Sequence, residues 1–134
     1  MNLLLDTHVA IWALFDDGRL SNKAKKYILN PNNTIYYSVV SSWEILLKHA
    51  HDPNNMIINA QQFINGCRLA GFISVKLSDR HIITIDTLSI SENAPEHKDP
   101  FDKLLLAQAK SEDFFLLTHD KKLLCYDEDC LLNV

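Results

Sequence analysis

Two short apolar runs that lead into an aspartate constrain the fold of this chain more than any other feature. Leu3, Leu4 and Leu5 run directly into Asp6, and Phe114, Phe115, Leu116, Leu117 and Thr118 run through His119 into Asp120. A strand with one face in water alternates apolar and polar residues, whereas an unbroken apolar run suits a strand covered on both faces. The chain leaves such a strand at its carboxyl end, the edge where open α/β sheets bind their ligands. Both aspartates are therefore expected at one functional edge.

The remaining segments supply partners for these strands. Val9, Ile11, Trp12 and Leu14 give residues 7–15 the pattern of a largely buried helix, and 20–29 reads as a helix capped near Ser21. Residues 34–37 form a β-branched and aromatic strand, followed by a helix over 39–50. Further helices are predicted over 60–69, 78–85 and 100–110, with strands over 72–75, 114–118 and 131–134. Alternating strands and helices imply an α/β fold with a parallel sheet covered on both faces. Asn30-Pro31-Asn32-Asn33 and Asp52-Pro53-Asn54-Asn55 read as loops rather than linkers, so 1–134 is expected to be a single domain.

A hydrophobic fraction of 47% over 134 residues is enough for a core without disulfides. Cys67, Cys125 and Cys130 are odd in number and lack zinc-site spacing, which fits free thiols in a reducing compartment. No apolar stretch approaches the roughly 20 residues that span a bilayer, and the N-terminus has no basic flank, so the expected location is the cytoplasm, away from membrane. With only Gly18, Gly66 and Gly71, there is no phosphate-cradling loop and no dinucleotide fingerprint. The formal charge of −4 argues at first against nucleic acid, since phosphate-binding surfaces are usually basic. If four acids gather at one metal site, however, the rest of the chain is neutral and bound cations make the site attractive to phosphate.

Each candidate acid also has a plainer explanation. Asp6 suits the N-cap of the helix that follows it. Glu44 borders an apolar stripe of Val39, Val40, Trp43, Leu46, Leu47 and Ala50, and it can pair with Lys48 at i, i+4 for about 0.2–0.5 kcal/mol. Asp99 is placed as an N-cap, with Pro100 at the first helical position. Asp102 shares a helix face with Leu105, Leu106 and Ala109, where a buried acid needs a partner and a metal ion is one; a charge at the positive helix end is its plainer role. Asp120 suits a turn before Lys121 and Lys122, but it repeats the arrangement at Asp6.

In order and spacing, Leu-Leu-Leu-Asp6-Thr-His-Val, Ser42-Trp43-Glu44-Ile45, Asp99-Pro-Phe-Asp102-Lys-Leu-Leu-Leu-Ala-Gln-Ala and Leu117-Thr-His-Asp120 resemble the PIN-domain nucleases, in particular VapC-type toxins of bacterial toxin–antitoxin pairs. The resemblance runs nearly end to end and implies a three-layer sandwich with a central parallel sheet. It carries an acidic, metal-binding catalytic set onto Asp6, Glu44, Asp102 and Asp120, with Asp99 a candidate fifth member and Thr118 a supporting hydroxyl. It also implies RNA as substrate, products with 5′-phosphate and 3′-hydroxyl ends, an antitoxin partner and a homodimer, for which Ile28, Leu29, Ile57 and Ile58 offer apolar residues. Lys103 stands where related sequences usually have Arg, which removes any planar bidentate contact there.

Carboxylate oxygens are hard ligands suited to Mg²⁺ or Mn²⁺, ions that can activate a bound water for attack at phosphorus. Of the six histidines, His8, His49, His51, His81, His97 and His119, most are expected at the surface or behind the metal ligands, and none forms a paired zinc framework. His8 and His119 flank proposed ligands, which keeps a mixed nitrogen and oxygen metallophosphatase as a rival, although its usual Gly-Asp and Gly-Asn-His segments are missing. A dehalogenase-type phosphatase wants Asp-x-Asp where this chain has Asp6-Thr7-His8. The same sequence also suits an RNA-processing nuclease without a toxin role, or a non-catalytic α/β binding module.

Overall fold

A computed structural model of the chain describes residues 1–94 and 98–134, so His97 lies outside the described residues. Five strands, β1 (Asn2–Leu5), β2 (Thr34–Ser38), β3 (Ile73–Val75), β4 (Phe115–Thr118) and β5 (Leu131–Asn133), form one sheet in the order β3-β2-β1-β4-β5. All four pairings are parallel. Among the described residues six helices accompany them: α1 (Thr7–Leu14), α2 (Asn22–Leu29), α3 (Val39–His51), α4 (Ala60–Leu69), α5 (Asp79–Thr84) and α6 (Pro100–Glu112). Short 3-10 turns over Ile85–Thr87 and Lys121–Cys125 were not expected from the sequence.

The sheet is covered on both faces, as its apolar strands require. Leu3, Leu5, Ile35, Tyr37 and Leu117 pack on one side with Val9 and Ala10 of α1, Ala24 of α2 and Phe63 and Cys67 of α4. Leu4 and Leu116 point the other way, onto Leu104, Leu105, Leu106 and Ala109 of α6. Successive residues of β1 thus serve opposite layers, the period-two alternation of a strand buried on both faces. Within this arrangement Ile28 and Ile58 pack against the core, whereas Leu29 and Ile57 are exposed.

Strand order fixes where a ligand can enter. The chain builds outward from β1 through β2 to β3, then returns across to β4 and β5, so the winding reverses between β1 and β4. At such a reversal the connections diverge to opposite sides and leave a crevice at the carboxyl ends of the two strands. Asp6 leaves β1 there, and Thr118 ends β4 beside it.

His81 departs from the expected surface or supporting role. Its ring is 2% exposed, its Nδ1 accepts from the Ser78 backbone N–H at 3.2 Å, and its Nε2 donates to Glu112 Oε1 at 2.7 Å. It is a polar clamp between α5 and α6. His8, His51 and His119 are exposed, and half-buried His49 contacts the Met56 carbonyl through Nδ1.

Candidate active site

Asp6 is both helix cap and buried acid. Its Oδ1 accepts from the Thr7 backbone N–H at 2.7 Å, capping α1, and its Oδ2 accepts from Thr118 Oγ1 at 2.7 Å. Its own N–H donates to the Leu117 carbonyl at 3.0 Å, which locks the carboxylate at the level of the β1–β4 pair. The residue is only 5% exposed. Burial raises its pKa against the opposing pull of those two hydrogen bonds, and the charge of Glu44 adds to the rise.

α3 presents a different face from the one its apolar pattern predicts. Val40 is buried, but Val39, Trp43, Leu46, Leu47 and Ala50 are exposed, while Ser41, Ser42, Glu44 and Ile45 face inward. The inward side of this helix meets the polar start of α1 at the acidic edge, so polar side chains occupy positions where periodicity expects apolar ones. Glu44 is 3% exposed. Its Oε1 accepts from Thr7 Oγ1 at 2.7 Å, and Thr7 lies 2.8 Å from the buried Ser41 hydroxyl. One turn on, Lys48 Nζ donates to Glu44 Oε2 at 2.5 Å, so the expected i, i+4 pair and the buried acid are both present. Burial opposes the charge on Lys48, but the hydrogen bond and charge of Glu44, reinforced by Asp99 and Asp102, outweigh it and raise its pKa.

α6 begins at Pro100 with Asp99 as cap: Asp99 Oδ1 accepts from the N–H groups of Phe101 at 2.9 Å and Asp102 at 3.3 Å. Asp102, 7% exposed, lies on the same inward side as Leu105, Leu106 and Ala109, all fully buried. Its pKa is pushed up to about 8, first by burial and then by the charges of Asp6, Asp99, Asp120 and Glu44. Asp102 is thus the point at which four other carboxylates are felt.

Asp120 is half-buried after β4. Its Oδ1 accepts from the Lys122 N–H at 2.9 Å, starting the 3-10 turn, and its own N–H donates to Thr118 Oγ1 at 3.0 Å. The fully buried Thr118 hydroxyl therefore accepts from one acidic residue and donates to another. Sequence resemblance points to Thr118 as a supporting residue. It does not point to Thr7 or Ser41, because they act through contacts between α1 and α3 that no local pattern encodes.

Among the described residues, no group of three or more His, Cys, Asp or Glu side chains is close enough to hold a metal ion as the side chains stand. Asp6 and Glu44 are turned instead onto Thr118, Thr7 and Lys48. The donor chemistry nevertheless fits a hard divalent cation: the donors are carboxylate oxygens, partly desolvated, and burial together with their mutual repulsion raises the pKa of Asp102. His8 and His119 make other contacts in the structure. His8 packs its ring on Trp12 at 6.0 Å, and His119 Nδ1 donates to the Val134 backbone oxygen at 2.8 Å.

A parallel sheet that gathers buried acids where its winding reverses defines a domain built to place charge at a crevice. The PIN domain family model matches residues 3–128, and the chain belongs to the PIN domain family, a family of nucleases. Solved structures share the fold, two of them VapBC assemblies. VapBC2 from Rickettsia felis, determined bound to a DNA fragment from its promoter, matches with a TM-score of 0.71 at 18% identity, covering 99% of this chain and 98% of that one. VapBC-1 from nontypeable Haemophilus influenzae matches with a TM-score of 0.60 at 17% identity, covering 92% and 90%. No curated protein sequence gives a significant match.

Proposed function

We propose that the chain is a single-domain, metal-dependent endoribonuclease and the toxin of a toxin–antitoxin pair. The observation that carries this reading is the placement of buried Asp6, Glu44 and Asp102 at the edge where the winding reverses, near enough that the charges of Asp6, Asp99, Asp120 and Glu44 help burial to raise the pKa of Asp102. Asp6, Glu44, Asp102 and Asp120 would hold Mg²⁺ or Mn²⁺, with Asp99 in support; when bound, the cation supplies a nucleophilic water and neutralises charge on the phosphate.

The chain's own residues supply positioning. Thr118 holds Asp6 and the backbone of Asp120 together, Thr7 fixes Glu44, and Lys48 balances the charge of Glu44. The antitoxin assignment draws support from the likeness to the two VapBC complexes. Three unbridged cysteines support a reducing, cytoplasmic setting, and among the described residues no helix is long and apolar enough to cross a membrane.

Cleavage of single-stranded RNA is expected with Mg²⁺ or Mn²⁺ and absent in EDTA, and induction in a bacterial host should arrest growth until the neighbouring gene is co-expressed. Activity that persists after chelation and dialysis would overturn the metal chemistry. Active protein that leaves growth untouched would favour RNA processing.

We assign the homodimer contact to the outer side of α3. Val39, Trp43, Leu46 and Leu47 are all at least 42% exposed there, and Trp43 packs edge-on against Phe101 at 5.0 Å. A row of exposed apolar side chains of this kind marks an interaction surface. Light scattering at micromolar concentration should give twice the chain mass, and Leu46→Glu should return it to a monomer; a wild-type monomer would remove the assignment.

A further inference from the structure

A second recess lies beside the acids, between α1 and the segment that joins α3 to α4. It has a volume of about 320 Å³, and its walls include His8, Trp12, Phe15, Arg19, Met56 and Ile57. A neighbouring hollow of about 570 Å³ shares His8 and Met56 with it and reaches Lys48, the partner of Glu44. The two hollows meet at His8, whose charge is felt at Asp6, and they run from Lys48 past His8 to Trp12 and Arg19.

The far end of this depression is a prepared planar surface. Arg19 donates from Nε to Asp17 Oδ1 at 3.1 Å and from Nη2 to Asp17 Oδ2 at 2.7 Å, a two-pronged pairing that fixes the guanidinium plane. The Arg19 carbon Cζ sits 5.3 Å from the centre of the Trp12 ring. Those hydrogen bonds hold the Asp17 carboxyl down at about 2, so the pair stays charged across the neutral range. The side chain of Arg19 is 69% exposed, which leaves its outer side open to the recess and to solvent. Trp12 in turn meets His119 edge-on at 5.4 Å, and His119 lies between Thr118 and Asp120. Arg19, Trp12 and His119 thus form a row that ends next in sequence to Thr118 and Asp120.

A turn held by Asp17 and Arg19 explains their pairing, but not the placement of the guanidinium over Trp12 at a recess that adjoins the hollow reaching Lys48, the partner of Glu44. An aliphatic side chain from a protein partner would make use of Phe15 and Ile57 but not of a fixed cationic plane. Unpaired bases, in contrast, stack on arginine planes and aromatic rings, and their phosphates favour the nearby cations Arg19 and Lys48. The volume is at the lower end of the roughly 300–1,000 Å³ typical of small-ligand sites, room for one nucleoside.

We propose that this recess holds one unpaired nucleobase of the RNA, flanking the cleaved phosphate and stacked on the outer side of the Arg19 guanidinium. This rests on the ribonuclease reading above. Stacking of this kind is worth about 1–3 kcal/mol per base, roughly 5- to 150-fold in affinity. Since the stacked base is remote from the bond that breaks, it stabilises the bound substrate and the transition state alike, and its loss raises KM with little change in kcat.

The test uses the full chain with Mg²⁺ and a fluorogenic single-stranded RNA. Arg19→Ala is expected to raise KM at least fivefold, leave kcat within about twofold, and leave the melting temperature close to that of the wild type. Arg19→Lys keeps the charge but loses the plane, so its KM should resemble that of Arg19→Ala. In a set of substrates each carrying one abasic nucleotide, one position should raise the wild-type KM by a similar factor and have no further effect on Arg19→Ala. A wild-type KM in Arg19→Ala, a full rescue by Arg19→Lys, or independent losses from the variant and every abasic position would each overturn the proposal while leaving the nuclease standing. An absence of RNA cleavage by the wild-type protein with either metal would remove both.

Discussion

Asp102→Asn is expected to reduce RNA cleavage by more than about 100-fold while making the metal-free protein more stable at neutral pH. Residues that merely orient a metal ligand cost about 10–100-fold when removed, and a direct ligand at the centre of the acids should exceed that. The stability effect follows from the carboxyl that titrates near 8 in the fold against an ordinary 3.8. Between those two values the native state binds a proton that the unfolded chain has released, so the wild-type protein loses stability as pH rises from about 4 to about 8. Asparagine carries no such proton, and its contribution to that slope disappears. Melting temperatures in EDTA at pH 5 and pH 8, for both proteins, measure the difference. Asp99→Ser serves as the control because it keeps a capping oxygen on the Phe101 and Asp102 N–H groups, whereas Asp99→Ala should lose about 0.5–2 kcal/mol. If Asp99→Ser is as inactive as Asp102→Asn, Asp99 is itself a ligand. If Asp102→Asn cleaves normally, the acidic centre has been assigned wrongly.

Leu105→Ala carries the largest expected cost to folding, about 2–5 kcal/mol. Leu105 is fully buried one turn beyond Asp102, in the cluster with Leu4 of β1 and Leu116 of β4. It couples the helix that carries the acid to the two strands at the crevice. Against a typical total stability of about 5–15 kcal/mol, a loss of that size removes a large share. Urea denaturation should show a lower midpoint with an unchanged slope; a loss below about 1 kcal/mol would mean that α6 does not depend on this contact.

Much of the candidate site was legible because its signals are local. An apolar run that ends in an acid identifies Asp6 and Asp120 without knowledge of any partner, and a carboxylate on the face of Leu105, Leu106 and Ala109 identifies Asp102. Asp99 announced itself through Pro100. Glu44 was legible only in company, since the outward placement of Trp43, Leu46 and Leu47 reverses the polarity expected of α3. The strand order, and with it the crevice between β1 and β4, depends on pairings between distant segments. The clasp of Thr7 on Glu44 likewise joins residues 37 positions apart, beyond the reach of periodicity or capping rules.

The hydrogen bond from Thr118 to Asp6 spans 112 positions of sequence, and that separation acts as a clock during synthesis. β1 leaves the ribosome well before β4, the strand it lies beside. At about 5–20 residues per second, seconds pass before the two can pair. Throughout that interval Asp6 lacks its clasp, one edge of β1 is unsheltered, and Asp120 has yet to be made. A nascent chain therefore lacks the closed acidic edge, and the candidate site is complete only after β4 and Asp120 have been added.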